Sequence, residues 1–203
     1  MKLLVASDNR KKRAELEALL TPLAVELVTP SELGGLPPVD EDQPTLAGNA
    51  AKKAASAARA SGLWALADDS GLEVDALGGE PGVRSARFAG RHGDDAANNA
   101  LLLERLRGIP PERRGARFVC ALALARPGGS LALEVSGSVR GRILEAPRGG
   151  GGFGYDPLFL FTEEGFAETG RPFAELAPAE KARVSHRGRA LRRLAQRLPE
   201  VLE

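Results

Sequence analysis

Two adjacent carboxylates, Asp68 and Asp69, follow a short apolar run at 63–67 and precede a serine and a glycine. An apolar run this short, bounded by glycines, is typical of a buried strand. Carboxylates placed side by side at the end of a strand repel each other unless a cation or hydrogen-bond donors hold them. Mg²⁺ suits that position, because it prefers carboxylate oxygens and shares its coordination with bound phosphates. The motif therefore predicts a magnesium site, although Asp-Asp-Ser-Gly is also good turn chemistry and a plain turn is the alternative.

A basic segment at 7–12 joins a predicted strand at 2–6 to a predicted amphipathic helix at 9–20. The amino end of a helix presents free N–H groups and the positive end of the dipole, which favour phosphate. Lys11 and Lys12 lie in the first turn, where they oppose the dipole unless an anion binds there. The segment predicts a phosphate-binding site or, alternatively, a solvated basic face. It does not have the glycine and lysine spacing of a Walker loop.

A second helix and the loop before it hold further charged residues. Asn49 and Lys53 are four residues apart in an alanine-rich predicted helix at 45–60, so they share one face. The proline- and glycine-rich segment at 30–44 is a predicted loop that contains Glu41. By composition alone, Glu41 is a solvated charge.

A glycine-rich stretch at 149–157 combines close backbone approach with aromatic faces. Its glycines let a ligand approach the main chain, while Phe153 and Tyr155 offer rings that can stack on a base. Asp156 precedes a proline and is therefore held extended, which fixes the direction of its side chain. A flexible glycine loop is the alternative, but it accounts for the glycines and not for the aromatics.

A polar cluster lies in a predicted helix later in the sequence. Its His186 and Arg187 offer donors for a keto oxygen of a purine, and Lys181 and Ser185 accompany them. An ordinary charged helix surface is the alternative. Two distant histidines and one cysteine exclude a metal site of His and Cys ligands, and nothing such as Gly-x-Ser-x-Gly supports a Ser-His-Asp triad.

These residues need strands and helices to position them. The order of the predicted elements indicates an α/β fold with a mixed sheet and helices packed outside it. The segments around Ala65 and Val74 are predicted as two short strands separated by the Asp-Asp turn. The other predicted elements are strands at 23–28, 116–125, 130–140 and 158–161, a helix capped by Thr45 and closed by Gly62, a helix capped by Asp94 or Asp95, and a helix at 178–198 interrupted near Ser185.

Composition bounds the class of protein. The chain has 203 residues, enough for one domain or for one core with two lobes. Its net charge of +1 gives no general attraction to nucleic acid or membrane, and the arginines at 183–197 spread around a helix instead of forming one stripe. A single cysteine, without an apolar span or signal peptide, leads us to expect a cytoplasmic protein that binds neither nucleic acid nor membrane.

Six motifs follow one another along the chain: Ser7-Asp8-Asn9, Thr45…Asn49…Lys53, Ala67-Asp68-Asp69-Ser70-Gly71, Pro81-Gly82-Val83, Gly152-Phe153-Gly154-Tyr155-Asp156-Pro157 and Glu180-Lys181…Ser185-His186-Arg187. Together they resemble the family of inosine/xanthosine triphosphate pyrophosphatases over nearly the whole chain. The chain departs from that family at three places. Ser7-Asp8-Asn9 stands where the family usually has Thr-Gly-Asn, Lys11 stands where it often has a glycine, and Gly48 replaces a common glutamate.

The resemblance implies a fold and an activity. The fold is α/β, with two lobes around a long mixed sheet, flanking helices and a central substrate cleft, in one domain at 1–203 that forms a homodimer. The activity is Mg²⁺-dependent hydrolysis of ITP, dITP and XTP to the monophosphate and pyrophosphate. Such hydrolysis keeps these non-canonical purines out of DNA and RNA.

The resemblance also implies roles for single residues. Glu41 and Asp69 would carry Mg²⁺, Asp69 would also orient or deprotonate the attacking water, and Asp68 would help to shape the site. The phosphates would be held by Ser7, Asn9, Lys12 and Lys53. The residues that would bind substrate are Ser7, Asp8, Asn9, Arg10, Lys11, Lys12, Lys53, Ser70, Phe153, Gly154, Tyr155, Asp156, Lys181, His186 and Arg187, with Phe153 stacked on the base.

Overall fold

The computed structural model describes residues 2–7, 16–17 and 25–202. Most of the predicted helix at 9–20 lies outside this part of the chain, although its described members at 16–17 are helical. Five of the predicted substrate-binding residues also lie outside it: Asp8, Asn9, Arg10, Lys11 and Lys12.

A six-stranded sheet with the order β2-β1-β3-β4-β5-β6 forms the framework. Strand β1 pairs in parallel with both β2 and β3, and β5 pairs antiparallel with β6, so the predicted mixed α/β fold is confirmed. The register between β1 and β3 places Val5 opposite Leu66. The strands are β1 Lys2–Val5, β2 Glu26–Val28, β3 Trp64–Val74, β4 Gly115–Ala125, β5 Leu131–Ile143 and β6 Phe159–Phe161.

Strand β3 is continuous, so the predicted turn between two short strands is wrong. β3 pairs with β1 over residues 64–66 and lies next to β4 on its other side, and this pairing within the sheet outweighs the local turn preference of Asp-Asp-Ser-Gly. Gly71 has no positive φ, which a turn of the predicted kind would require. It is needed for close approach instead, because a Cβ built there would lie 2.5 Å from the carbonyl oxygen of Gly82.

The helices begin and end close to the predicted positions. In the first of them, Thr45 Oγ1 accepts a hydrogen bond from the Gly48 amide at 3.0 Å, and Gly62 ends the helix with a φ of 67°. Both predicted caps are therefore confirmed, as is the break at Ser185. The helices with both ends in the described part of the chain are α1 Leu46–Ser61, α2 Asp95–Arg105, α3 Pro178–Val184, α4 His186–Arg197 and α5 Pro199–Leu202.

The chain divides into two compact units. Unit 1 comprises Met1–Asp69, Cys120–Gly137 and Ala190–Glu203, and unit 2 comprises Ser70–Val119 and Ser138–Arg189. Strands β3, β4 and β5 and helix α4 each contribute residues to both units. Across the described parts of the chain, no helix combines the length and apolar character needed to cross a membrane.

Each unit has its own hydrophobic core. Aliphatic side chains such as Leu3 and Leu66 dominate the core of unit 1. Aromatic rings are prominent in unit 2, where Phe118 lies 4.6 Å from Phe159 and 6.0 Å from Phe173, measured between ring centroids. These two cores fix the strand and helix residues on which the candidate sites are built.

Candidate functional site

Asp69 on β3 is held by two side chains of α1. Its Oδ2 accepts a hydrogen bond from Asn49 Nδ2 at 3.1 Å, and its Oδ1 lies 3.4 Å from Lys53 Nζ. Asn49 and Lys53 are one helical turn apart, so the predicted common face of the helix is confirmed. Asp69 is only 13% exposed, and its two oxygens therefore depend on these neighbours instead of water.

Glu41 meets Asp69 at the same ammonium group. Lys53 Nζ donates to Glu41 Oε1 at 2.7 Å, so the interpretation of Glu41 as a solvated charge is wrong. The next two residues also reach α1: Asp42 accepts from Lys52 Nζ at 2.8 Å, and the Gln43 amide donates to Asn49 Oδ1 at 3.0 Å. Three consecutive loop residues are thus fastened to one helix.

Burial and neighbouring charges have opposing effects on the pKa values of Asp69 and Lys53. Burial raises the pKa of Asp69 and Glu41 adds to the rise, which together outweigh the opposing effects of Lys53 and Asn49. Burial alone would lower the pKa of Lys53, but the charges of Asp69 and Glu41 outweigh it and raise that pKa. The two carboxylates together therefore hold a cation strongly, while Asp69 takes up a proton more readily than an exposed aspartate.

The donor set of unit 1 fits a magnesium ion that shares its coordination with phosphates. Glu41 and Asp69 already converge on one cation, the Lys53 ammonium. Within the described part of the chain, no group of three or more His, Cys, Asp or Glu residues could hold a metal ion. Mg²⁺ commonly binds through one or two carboxylates and completes its shell with water and substrate phosphates. Asp68 follows the alternation of β3, which directs successive side chains to opposite faces, and its charge also raises the pKa of Lys53.

A cavity of about 430 Å³ lies beside this cluster in unit 1. Ser7, at the end of β1, and Lys53 both line it, together with parts of the loop at 30–39. The structure thus brings together the two predicted phosphate-binding residues that it describes. Ser7 and Lys53 thus line the same cavity, and the Lys53 ammonium places a positive charge at its wall.

In unit 2, the predicted base-binding loop is folded around Asp156. This carboxylate is buried, accepts from the Phe153 amide at 2.8 Å and is paired with Lys181. The Lys181 ammonium also lies 4.5 Å from the centroid of the Phe153 ring, which is 69% exposed. Gly152 permits this arrangement, because a Cβ built there would lie 2.2 Å from an Asp156 oxygen.

Helix α2 fixes the next residue of the loop through both polar groups of its main chain. The Gly154 amide donates to Asp95 Oδ2 at 2.7 Å, and Asn99 Nδ2 donates to the Gly154 carbonyl at 2.9 Å. Sequence reasoning missed Asp95 and Asn99, and the only available signal was their i,i+4 spacing on a predicted helix. Tyr155, predicted to contact substrate, is buried and donates its hydroxyl proton to the Ser85 carbonyl at 2.9 Å. Burial, aided by the charge of Asp95, raises the pKa of this hydroxyl.

His186 begins α4 with its ring stacked on the aromatic core of unit 2. Its centroid lies 4.8 Å from that of Phe118 at an interplanar angle of 17°, and the residue is 9% exposed. Ser185 precedes it and accepts from the Gly188 amide at 3.1 Å, which fixes the start of the helix. Arg187 and Ser70 are half-buried. This packing restricts the movement of the imidazole ring.

Comparisons with known proteins cover nearly the whole chain. A model of the Ham1 family matches residues 3–197. The dITP/XTP pyrophosphatase of Nocardia farcinica is 54% identical over 205 residues, which span 100% of this chain and 97% of the relative. The dITP/XTP pyrophosphatase of Corynebacterium diphtheriae is 50% identical over 197 residues, 96% of this chain and 95% of the relative.

Solved structures agree with these sequence matches. A HAM1 protein from Coxiella burnetii superposes with a TM-score of 0.90 at 39% identity, covering 98% of this chain and 99% of the other. The nucleoside-triphosphatase / dITP/XTP pyrophosphatase from Mycobacterium abscessus gives a TM-score of 0.80 at 50% identity, covering 96% and 97%.

Proposed function

Because the chain belongs to the Ham1 family, we propose that it hydrolyses the non-canonical purine nucleotides ITP, dITP and XTP to the monophosphate and pyrophosphate. The curated relatives named above are dITP/XTP pyrophosphatases and match this chain over nearly their full length. The observation in this chain that carries the proposal is the convergence of Glu41 and Asp69 on the Lys53 ammonium. That cluster supplies the charges that transfer of a nucleotidyl group to water requires.

Mg²⁺ would be held by Glu41 and Asp69. When bound, the ion would neutralise the negative charge of the phosphates during cleavage of the α–β anhydride. Lys53 and Ser7, which line the same cavity, would position the phosphates, and the Lys53 charge would favour departure of the pyrophosphate. Asp69 would accept the proton of the attacking water. The bonds from Asn49 and Lys53 would hold its carboxylate in a fixed position for that transfer.

The base would be bound by residues of unit 2. Phe153 exposes its ring for stacking, with Lys181 at the ring face. His186 and Arg187 would donate to the 6-keto oxygen that hypoxanthine and xanthine carry. Adenine has an amino group at that position and would leave such donors without partners, which binding sites reject strongly.

A panel of nucleoside triphosphates tests the proposal directly. The protein is incubated with ITP, dITP, XTP, ATP and GTP in the presence of Mg²⁺, and pyrophosphate is measured separately from orthophosphate. We expect pyrophosphate from ITP, dITP and XTP, and loss of that signal when the metal is chelated. Orthophosphate as the product, or equal turnover of ATP, would contradict the assignment. Activity that survives complete chelation would contradict the metal dependence alone.

We further infer that the enzyme is a cytoplasmic homodimer, as the family resemblance implies. The single Cys120 is fully buried, which agrees with a reducing compartment. Light scattering from the purified protein measures the assembly, and a particle of the chain's own mass of 21.3 kDa would contradict the dimer.

A further inference from the structure

Asn49 is a fully buried polar residue in the first part of α1. Burial of an amide side chain is costly unless its donor and acceptor find partners. Asn49 finds both in the protein. Its Oδ1 accepts a hydrogen bond from the main-chain amide of Gln43 at 3.0 Å, and its Nδ2 donates to Asp69 Oδ2 at 3.1 Å. One side chain therefore connects a loop, a helix and a strand.

The two bonds of Asn49 decide which Asp69 oxygen faces which neighbour. Asn49 Nδ2 donates to Asp69 Oδ2, so Asp69 Oδ1 faces Lys53 Nζ at 3.4 Å. Lys53 Nζ also donates to Glu41. The bond to the Gln43 amide fixes the loop only two residues after Glu41. Asn49 thus constrains Asp69 directly and Glu41 through the loop that carries it.

We propose that Asn49 is a positioning residue that sets the orientation of Asp69 and its separation from Glu41. The inference rests on the proposed function, since these two carboxylates are the ones assigned to the metal and the attacking water. A donor that orients a carboxylate ligand is typically worth about 10- to 100-fold in activity or metal affinity. A bond to a charged acceptor also holds its partner more firmly than a neutral one.

A second buried asparagine offers a matched comparison. Asn98 on α2 also fastens a loop to a helix: its Oδ1 accepts from the Ala89 amide at 2.8 Å, and its Nδ2 donates to the Ala86 carbonyl at 3.3 Å. Both of its partners are main-chain groups of unit 2. Asn98 therefore connects a loop to a helix as Asn49 does, but it does not contact a carboxylate.

The experiment compares Asn49→Asp with Asn98→Asp. Each change keeps the acceptor oxygen and removes the donor, and each also adds a negative charge, which at position 49 lies beside Asp69 Oδ2. We expect kcat for ITP to fall about 10- to 100-fold in Asn49→Asp with little change in KM, while Asn98→Asp keeps kcat within about threefold. Asn49→Leu and Asn98→Leu, of similar volume, remove donor and acceptor together without adding a charge, and the same difference in kcat is expected between them.

A binding measurement separates this inference from the proposed function. Mn²⁺ is titrated into wild type, Asp69→Asn and both leucine variants in the presence of inorganic pyrophosphate, and bound Mn²⁺ is followed by electron paramagnetic resonance. We expect Asn49→Leu, but not Asn98→Leu, to weaken Mn²⁺ binding, because neither change adds a carboxylate that could itself bind the ion. Unchanged kcat and Mn²⁺ affinity in Asn49→Leu, or equal losses in both leucine variants, would overturn the positioning role. Wild type that binds Mn²⁺ but releases no pyrophosphate would instead refute the proposed function, and the Mn²⁺ comparison would still decide the role of Asn49.

Discussion

The two oxygens of Asp69 serve different neighbours, and this makes the residue hard to replace. One oxygen receives the amide of Asn49 and the other faces Lys53. An asparagine at this position would keep the shape but lose the negative charge and the capacity to take a proton. Residue identity at 69 should therefore matter far more for turnover than for folding.

Asp69→Asn tests this separation. We expect kcat for ITP to fall by about 100- to 10,000-fold, the range that removal of a general base commonly produces, with an unchanged circular dichroism spectrum. Asp68→Asn is the matched control, because its side chain leaves the strand on the opposite face and should cost less. Equal losses in the two variants would contradict the assignment of the base to Asp69.

The chain's two histidines give a test of base recognition. His186→Ala should lower the ratio of kcat/KM for ITP to kcat/KM for ATP by about tenfold, which corresponds to about 1.4 kcal/mol, because a donor to the keto oxygen is lost. His92→Ala is the control, since His92 is exposed in a loop. An unchanged ratio in a folded His186→Ala protein would remove His186 from base reading.

Residue types alone predicted part of the candidate site. The sequence predicts functional roles for the Asp-Asp pair, Lys53 and the Phe153 loop, because carboxylates, lysines and aromatics among glycines have distinctive chemistry. The fixing partners were not: Asn49 was placed on the correct helix face, but its bonds to Gln43 and Asp69 depend on contacts across the fold. Such contacts have no local sequence signal.

At the scale of elements, the loop at 41–43 behaves as an extension of α1. Glu41, Asp42 and Gln43 each reach a side chain of the helix. The pair between Asp42 and Lys52 is exposed, whereas Lys53 is 19% exposed and meets two carboxylates. The inner pair should therefore contribute most of the free energy that holds the loop.

Lys53→Met and Lys52→Met test this difference through pH. The pKa of Lys53 lies above its ordinary value of 10.5, so the stability from its charge is full below pH 10.5 and is lost as the pH rises through the folded-state pKa. At neutral pH we expect Lys53→Met to cost about 2 kcal/mol and Lys52→Met less than about 1 kcal/mol. Melting curves provide the measurement. A deficit of Lys53→Met that stays constant to high pH would contradict the charge argument.

The loop around Phe153 depends on one glycine for its internal packing. In Gly152→Ala, the new Cβ would meet Asp156 and strain a backbone with a φ of 79°. We expect kcat/KM for ITP to fall by up to about 100-fold, because Phe153 is displaced. Gly150→Ala is the control, since a Cβ at Gly150 meets nothing within 4 Å. Steady-state kinetics with ITP distinguish the two, and similar values would show that the loop tolerates the displacement.

Helix ends were more predictable than the central strand. Thr45 and Gly62 act through contacts within one turn, so their positions follow from local rules. The segment at 68–71 carries equally strong local signals, but its inclusion in β3, next to β4 in the sheet, overrides them. Local chemistry fixed the caps, whereas sheet neighbours fixed the strand.

At the scale of the whole molecule, the division into two units does not follow the order of the sequence. Unit 1 is assembled from three segments of the chain and unit 2 from two. Because β3, β4, β5 and α4 belong to both, neither unit corresponds to a continuous piece of chain that could be cut out. We expect the two units to unfold together.

The aromatic content makes that expectation measurable. The only tryptophan, Trp64, lies in unit 1, and the only tyrosine, Tyr155, lies in unit 2. Thermal unfolding followed by Trp64 fluorescence and by Tyr155 absorbance should give coincident transitions. The calorimetric enthalpy should also equal the van't Hoff enthalpy. Separate midpoints for the two probes would show that the units unfold independently.

The unbroken course of β3 also limits how this protein can change over evolutionary time. Side chains alternate between the two faces of a strand, so inserting or deleting one residue shifts every later side chain to the other face. A single-codon insertion between Leu66 and Asp68 would turn Asp69 to the other face of the strand and break its contacts with Asn49 and Lys53. The acidic motif therefore does not tolerate a change of length in this strand. We expect length differences among homologues to fall outside Trp64–Val74.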